Sequence, residues 1–222
     1  IVEKVFNNEV DEAKNLQLFV KRDGQVGVAL KSLYLSETGV ARLLSYYISQ
    51  NQPLPVKNVD EKIDQFETYY QFQLAPEQRE AIHQITAGGV SVVTGGPGTG
   101  KTTLIRALLF VLKDARFSNH RKLEIALCSP TGRAAQRLSE TTGQFATTIH
   151  RLLKYNPQES GFVHRADNPL KLNLLIIDES SMLDVALAYY LMKALTPGTT
   201  IVFVGDIDQL PSVGAGNFLQ DV

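Results

Sequence analysis

A glycine-rich segment between a strand-like run and an apolar helical run carries the clearest chemical signal in this sequence. It fits the phosphate-binding loop pattern, which is a glycine, four residues and then Gly-Lys-Thr, at every fixed position. Glycines let the backbone wrap around phosphate oxygens, and the start of the following helix adds a partial positive charge beneath them. The residues expected to contact a nucleotide are Gly95, Gly96, Pro97, Gly98, Thr99, Gly100, Lys101, Thr102 and Thr103.

Two side chains of this segment extend its chemistry beyond the backbone. Lys101 can reach the β- and γ-phosphates of a nucleoside triphosphate, and Thr102 can offer its hydroxyl to Mg²⁺. A glycine-rich turn that happens to end in Lys-Thr is the alternative, but the flanking strand and helix patterns favour the phosphate loop. The segment therefore predicts a site for a nucleoside triphosphate and a magnesium ion.

A pair of carboxylates, Asp178 and Glu179, follows an apolar run. Carboxylates that emerge from such a run are costly unless they have partners or a function. In phosphate-loop enzymes the first holds Mg²⁺, often through water, and the second orients or activates the attacking water. A pair that only caps a helix is the alternative. We expect Lys101 and Asp178 to converge from neighbouring strands on the magnesium-bound phosphates.

Two glutamines are further candidates for the same site. Gln209 lies in segment 205–212, after the last apolar run, where a polar side chain could reach the γ-phosphate. We choose Gln209 because a neutral amide can hydrogen-bond both phosphate and water, although the Gly, Asp and Pro there also favour an ordinary turn. Gln78 lies in the predicted helix before the phosphate loop, where its amide could read an adenine edge or simply belong to the surface.

Basic and hydroxyl residues cluster on two connections between the predicted strands. Such side chains suit contacts to a nucleic-acid backbone, and a solvated helix face explains the charges equally well. They are Thr131, Arg133, Arg137, Thr147, Thr148, His150 and Arg151.

Composition sets broad limits on this chain of 222 residues. Its composition is that of a globular protein, and its net charge is -1. This net charge argues neither for nor against nucleic-acid binding, because a basic groove can be local while the charge of the whole chain is balanced. The single cysteine, Cys128, excludes an internal disulfide framework, and its apolar run predicts a buried strand thiol. The single thiol is compatible with reducing conditions, and we expect a cytoplasmic setting. No segment has the pattern of a transmembrane helix or a signal peptide, and we expect no membrane contact. Because the chain begins at Ile1 rather than Met, we expect a fragment of a longer protein.

From about residue 75 the sequence alternates strand-like and helical patterns, which predicts an α/β domain over residues 75–222. The later apolar runs are continuous rather than alternating, which is typical of parallel strands covered on both faces. Polar clusters follow each run, and open parallel sheets bind ligands at the carboxyl ends of their strands. The four predicted strands are residues 90–94, 123–128, 172–177 and 200–204.

Residues 1–74 carry no recognisable chemistry and are interpreted as a small accessory module, either mixed α/β or mostly helical. The patterns predict a hairpin around Asp23-Gly24, a helix capped by Ser36, and a second helix over 59–70. Pro76 suits the first turn of the next helix. Segment 154–171 contains Asn-Pro and Ser-Gly pairs and predicts a long excursion or a small hairpin.

Taken in order, the motifs of residues 74–222 resemble those of the RecD/TraA-like branch of superfamily 1 helicases. The resemblance is carried by Leu74-Ala75-Pro76-Glu77-Gln78, the phosphate loop, Ser129-Pro130-Thr131-Gly132-Arg133-Ala134-Ala135, Thr148-Ile149-His150-Arg151-Leu152-Leu153, Ile177-Asp178-Glu179-Ser180-Ser181-Met182 and Val204-Gly205-Asp206-Ile207-Asp208-Gln209-Leu210-Pro211-Ser212-Val213. It implies a RecA-like phosphate-loop NTPase domain that uses ATP and Mg²⁺.

The same resemblance implies a role for each candidate residue. Gln78 would contact adenine, Lys101 and Thr102 would hold phosphate and Mg²⁺, Asp178 would bind the metal, Glu179 would prepare the water, and Gln209 would couple the γ-phosphate to the strand. A path for single-stranded DNA would be lined by Pro130, Thr131, Gly132, Arg133, Thr148 and His150.

The resemblance further implies 5′-to-3′ movement on DNA, with other recombination or repair subunits as partners. Motors of this type have two RecA-like domains, and we expect this chain to hold only the first. Two other interpretations stay open. One is an ATP-dependent switch or loader that pulls no strand, and the other is a superfamily 1 RNA helicase.

Overall fold

The structure is a computed structural model that describes residues 15–20, 24–117, 119–158, 161–209 and 212–222. Asp23 of the predicted hairpin and the Leu210-Pro211 pair of the last motif lie outside the described residues. None of the described helices combines the length and apolarity that a bilayer-spanning segment needs.

The first described strands form an antiparallel pair that leads directly into a long helix. Strands β1 (Leu16–Val20) and β2 (Val26–Leu30) pair as predicted, and α1 (Lys31–Ser49) follows without a loop. The prediction that Ser36 caps this helix is wrong. Its hydroxyl donates to the Ser32 carbonyl oxygen at 2.9 Å, as serine does inside a helix. The helix starts earlier because its apolar face already begins beside the hairpin.

The next elements bring the chain to the phosphate loop. They are α2 (Val59–Tyr70), α3 (Pro76–Thr86), β3 (Val90–Thr94) and α4 (Lys101–Leu112). Pro76 occupies the start of α3, where its missing N–H costs nothing and its fixed φ suits the helix.

The remainder of the domain alternates strands and helices. Its elements are β4 (Ile125–Ser129), α5 (Gly132–Thr142), β5 (Ala146–Thr148), α6 (Ile149–Leu152), β6 (Tyr155–Asn156), β7 (Gly161–Phe162), β8 (Leu174–Ile177), a 3₁₀ turn (Ser180–Met182), α7 (Val185–Lys193), β9 (Thr200–Gly205) and α8 (Phe218–Asp221). The short antiparallel pair β6–β7 confirms the hairpin predicted within segment 154–171.

A parallel sheet forms the centre of the molecule, with strand order β3-β9-β8-β4-β5. The predicted fold class, a parallel sheet flanked by helices, is confirmed. Two details differ from the prediction. Strand β5 was not predicted, because three residues with two threonines give no apolar run. Strands β3 and β8 are not neighbours, because β9 lies between them.

Both faces of the sheet are covered, which explains the continuous apolar runs. Leu174 and Ile176 of β8 belong to one core together with side chains of α2, α3, α4 and α5. Leu175 and Ile177 belong to the opposite core with side chains of α1 and α7. Cys128 lies in this second core with no exposed surface, as predicted, and burial raises the pKa of its thiol well above the ordinary value.

The described residues before position 75 are divided between these two faces. Helix α1 packs on α7, where the Tyr47 hydroxyl donates to the carbonyl oxygens of Met192 at 2.9 Å and Leu195 at 3.0 Å. Helix α2 packs on α4, and its Ile63 and Phe66 are fully buried in the first core. The boundary at residues 74 and 75 stays a prediction, but both sides of it contribute to the same hydrophobic interior.

Candidate nucleotide and nucleic-acid site

The phosphate loop connects the carboxyl end of β3 to the amino end of α4. Gly98 and Gly100 have φ values of 77° and 84°, in the left-handed region that favours glycine. A Cβ at Gly100 would also collide with the side-chain amide of Gln78. The backbone path of the loop therefore favours glycine at positions 98 and 100, and at Gly100 a side chain would also have to displace the Gln78 amide. Thr102 and Thr103 lie half-buried in the first turn of α4.

The ammonium group of Lys101 lies inside this loop. It donates to the carbonyl oxygens of Gly95 at 2.5 Å and Gly96 at 2.8 Å, and the Thr99 hydroxyl donates to Gly96 at 2.9 Å. These bonds hold the cation where the loop backbone curves. Phosphate oxygens entering the loop would compete with the same carbonyl oxygens for the ammonium protons.

Gln78 joins helix α3 to the phosphate loop. Its Oε1 accepts from the Ala75 backbone N–H at 2.9 Å, and its Nε2 donates to the Gly100 carbonyl oxygen at 3.3 Å. A cavity of about 340 Å³ opens here between α3, β3 and the loop, lined among others by Gln78, Thr94 and Lys101. Gln78 is therefore more than a surface glutamine, because its amide lies at the wall of this cavity.

Helix α3 is fixed in turn by charges on α2. Arg79 pairs with Asp64 at 2.7 Å and with Glu67 at 3.0 Å, and His83 contacts Asp60 at 2.9 Å. Each exposed pair is worth little alone, but together they hold α3, and hence Gln78, against the preceding helix.

Asp178 follows the last residue of β8 and is half-buried. Burial raises the pKa of its carboxyl above the ordinary value of 3.8, and the charge of Glu179 raises it further. The backbone N–H of Glu179 and the charges of Lys101 and Arg137 act in the opposite direction and lower the pKa. Lys101 follows β3 and Asp178 follows β8, so both predicted groups lie at the carboxyl end of the sheet, although β9 separates their strands.

Glu179 begins the 3₁₀ turn in the left-handed region, with a φ of 55°. A non-glycine residue in that region stores local strain of the kind that clusters at functional sites. The strained turn directs the chain away from the sheet directly after the two carboxylates.

Gln209 lies beside a carboxylate that our sequence reasoning did not select. Asp206 follows β9 and is 2% exposed. Its Oδ1 accepts from the Asp208 backbone N–H at 3.0 Å, and its Oδ2 lies 3.4 Å from the Gln209 amide nitrogen. Because β9 separates β3 from β8, Asp206 emerges between the phosphate loop and Asp178. An acidic residue directly after a continuous apolar run was the signal that could have found it.

The predicted nucleic-acid residues follow β4 and β5, which are neighbouring strands. The Thr131 hydroxyl accepts from Ala134 N–H at 3.3 Å and caps α5, and the Thr148 hydroxyl accepts from Arg151 N–H at 3.2 Å and caps α6. Arg133 and His150 are exposed. Pro130 and Gly132 complete the same connection, so the structure brings all six residues to one end of the sheet.

The family model described as an AAA domain matches residues 78–215, which is more than half of the chain. The chain belongs to this AAA domain family. The matched residues include the phosphate loop, both carboxylates and Gln209.

Curated relatives carry the RecD name. The ATP-dependent RecD2 DNA helicase of Deinococcus radiodurans is 46% identical over 143 residues, which cover 64% of this chain and 19% of that relative. The RecBCD enzyme subunit RecD of Mycolicibacterium smegmatis is 41% identical over 164 residues, which cover 66% of this chain and 30% of that relative. The resemblance to RecD-like superfamily 1 helicases is thereby confirmed, and the chain spans less than a third of the length of these relatives.

Solved Pif1 helicases are also similar to the chain. The Bacteroides Pif1 complex with ADP-AlF4 aligns with a TM-score of 0.44 at 26% identity, covering 67% of this chain and 35% of that one. The Candida albicans Pif1 structure gives 0.44 at 26% identity, with 63% and 34% covered. The fold assignment depends on the strand order described above and not on these scores.

Proposed function

We propose that the chain is the first motor domain of a 5′-to-3′ DNA helicase, which binds Mg²⁺-ATP and single-stranded DNA. In the full-length protein it would couple ATP hydrolysis to movement along the strand. The observation that carries the proposal is the strand order: Lys101, Asp206 and Asp178 follow β3, β9 and β8, which are consecutive in the parallel sheet. The connections that hold Arg133 and His150 follow β4 and β5, the next two strands of that order.

The residues at this site suit a magnesium nucleotide. Mg²⁺ prefers oxygen ligands and keeps several waters, and Thr102 and Asp178 supply a hydroxyl and a carboxylate near the lysine. Lys101 and the loop N–H groups would hold the phosphates, and Gln78 would contact the adenine from the wall of its cavity. Bound magnesium would neutralise charge that develops on the phosphate oxygens.

Glu179 is the group that we assign to the attacking water. Its carboxylate would accept a proton from that water while the neighbouring Asp178 stays with the metal. Gln209 would sense the terminal phosphate through its amide, and its contact with buried Asp206 ties it to the end of β9. A change at the phosphate would thereby reach the segment between β9 and α8.

Substitution of Lys101 tests nucleotide binding directly. Lys101→Ala should reduce the affinity for a fluorescent ATP analogue at least tenfold, measured by anisotropy, because the loop loses its cation. Lys113→Ala is the matched control, since Lys113 lies exposed just beyond the other end of the same helix. Full affinity in Lys101→Ala would overturn the proposal.

Substitutions at the residues predicted to contact nucleic acid test the binding of single-stranded DNA. Arg133→Ala and His150→Ala should each weaken binding of a labelled single-stranded DNA, while Arg121→Ala, before the amino end of β4, should not. Unchanged binding in both variants would favour an ATP-dependent switch or loader. Competition with RNA oligonucleotides at fixed salt separates the RNA helicase alternative, because backbone contacts depend strongly on salt.

The proposal also covers the cellular location and the partners of the full-length protein. The Mycolicibacterium relative is named as a subunit of the RecBCD enzyme. We propose that the full-length protein likewise works in the cytoplasm with other recombination or repair subunits, which co-purification of the tagged full-length protein with its partners would test.

A further inference from the structure

Buried hydroxyls without a partner are rare in folded proteins. Among the described residues, the side-chain oxygens of Ser129, Ser181 and Thr200 are buried and have no hydrogen-bond partner. A buried polar group in this state has lost its hydrogen bonds to water without gaining one in the protein, which destabilises the fold. Such a group in a native sequence calls for an explanation, and a functional role is one.

Ser129 is the one of the three that ends a strand directly beside Asp178. It is the last residue of β4 and has no exposed surface. On one side it pairs with Thr148 of β5, and on the other the Asp178 backbone N–H donates to the Cys128 carbonyl oxygen at 2.9 Å. Ser129 therefore lies between the metal-site carboxylate and the strand that leads to His150.

The alternation of side chains puts Ser129 and Asp178 on the same face of the sheet. Leu127 belongs to the core beneath α4 and Cys128 to the opposite core, so the next side chain, Ser129, returns to the α4 face. Ile176 and Ile177 alternate in the same way on β8, which directs Asp178 to that face too. The phosphate loop leads into α4 on this side.

We propose that the Ser129 hydroxyl is a positioning group of the magnesium site, donating a hydrogen bond to the Asp178 carboxylate when that carboxylate holds Mg²⁺. This inference rests on the proposed function. Carboxylates that bind metals are themselves hydrogen-bonded, and those outer partners fix which oxygen faces the ion. Lys101 does not fill this role, because its ammonium protons are directed to the carbonyl oxygens of Gly95 and Gly96.

A hydroxyl also suits this position electrostatically. It donates a hydrogen bond without adding charge to a cluster that already holds Asp178, Glu179 and the Lys101 cation. Because β4 continues into the Thr131 cap of α5, the same hydroxyl connects the metal site to the start of the predicted DNA-binding connection.

Two substitutions of Ser129 and one control substitution test this role in the 222-residue chain. Ser129→Ala removes the hydroxyl and adds no atoms. Thr200→Val is the control, because its hydroxyl is equally buried and unpartnered but lies at the first residue of β9, at the opposite end of the sheet. Ser129→Cys, whose thiol is a weaker donor, serves as a second variant.

The measurement is the binding of a fluorescent ATP analogue across a magnesium titration, repeated in EDTA, together with the ligand-free melting midpoint. Ser129→Ala should raise the half-saturating magnesium concentration about tenfold, with an intermediate rise for Ser129→Cys. Binding in EDTA should stay unchanged. Because the hydroxyl has no protein partner, the melting midpoint should stay equal or rise. Thr200→Val should leave the magnesium dependence as it is.

The possible results separate this inference from the proposed function. An unaltered chain whose nucleotide binding ignores magnesium would overturn both. Magnesium-dependent binding that Ser129→Ala retains in full would overturn only the role of Ser129. A large loss of ligand-free stability in Ser129→Ala would also overturn it, since it would assign the hydroxyl a structural partner.

Discussion

Asp178 is held in surroundings that disfavour the charge of its carboxylate. Its carboxyl is half-buried and beside Glu179, and both circumstances disfavour the ionised form that a metal requires. The cations Lys101 and Arg137 offset only part of this cost, since the pKa stays above its ordinary value. In the absence of a ligand, the site therefore lowers the stability of the fold.

Replacing this carboxylate by an amide should stabilise the ligand-free protein. Because the pKa of Asp178 is higher in the folded than in the unfolded chain, its ionisation destabilises the fold as pH rises through and above the ordinary value of 3.8. Asp178→Asn should melt higher than the unaltered chain at pH 7, by about 2–4 °C for each kcal/mol regained. The difference should vanish in acid, where both side chains are neutral.

Calorimetry across pH 3 to pH 8, without magnesium or nucleotide, measures that difference. Asp208→Asn is a suitable control, since Asp208 is exposed after the next strand. A melting midpoint for Asp178→Asn that falls below that of the unaltered chain at neutral pH would contradict the argument.

Single residues that belong to a motif with a recognisable spacing could be predicted from the sequence. Residues whose role depends on the side chains packed around them could not. Lys101 and Asp178 follow from a loop pattern and from an acidic pair after an apolar run. Ser129 could not be found, because an unpartnered hydroxyl is a property of packed neighbours and not of a motif. Asp206 follows an apolar strand as Asp178 does, and this signal was available in the sequence although Gln209 was chosen for its amide.

Among the elements, helix α1 is attached to the sheet domain by a buried tyrosine hydroxyl that bonds to carbonyl oxygens at the end of α7. Its Tyr47 is 3% exposed and donates to two carbonyl oxygens at the end of α7. Burial raises the pKa of Tyr47 to about 12, so the hydroxyl keeps its proton and donates across the physiological range. The Leu195 carbonyl oxygen lies just beyond the end of the helix, and the Met192 carbonyl oxygen also accepts from the Leu195 backbone N–H at 3.2 Å.

Tyr47→Phe should lower the free energy of unfolding by about 1–3 kcal/mol, because the Leu195 carbonyl oxygen loses its donor and the Met192 carbonyl oxygen loses one of two, while the ring is kept. Tyr46→Phe provides the control, since the neighbouring Tyr46 is 41% exposed. Urea unfolding followed by circular dichroism measures both. Equal midpoints for the two variants would show that the hydroxyl contributes nothing to the attachment of α1.

Elements with long apolar runs were predictable, and elements shaped by contact were not. The buried strands β8 and β9 are unmistakable, because continuous Leu, Ile, Val and Phe side chains leave few alternatives. Strand β5 is polar and short, and it exists because β4 offers it an edge. Strand order is likewise set by packing, which is why the position of β9 between β3 and β8 could not be inferred from the chain order.

For the molecule as a whole, we expect ATP binding without efficient ATP hydrolysis. The described residues form one parallel sheet with one phosphate loop, and the family resemblance implies that a second RecA-like domain supplies an arginine to the γ-phosphate. Loss of such an arginine costs about 10³–10⁵ in rate. We expect the 222-residue chain to bind ATP, to hydrolyse it slowly and not to unwind DNA.

A steady-state ATPase assay with and without single-stranded DNA tests this expectation, and Glu179→Gln reports the background rate. Turnover of several per second that rises with DNA would contradict it, since it would mean that these residues hold a complete motor. A forked DNA substrate in the same buffer tests unwinding.

The division of the first residues between two faces of the sheet has a practical consequence for anyone who trims this protein. Cutting at residue 75 would remove Ile63 and Phe66 from above α4 and leave Leu108 and Val111, now without exposed surface, open to solvent. A truncated version that begins at residue 75 should aggregate during expression because this apolar surface is exposed. A version that begins before Leu54 would keep α2 and leave the apolar face of α4 covered.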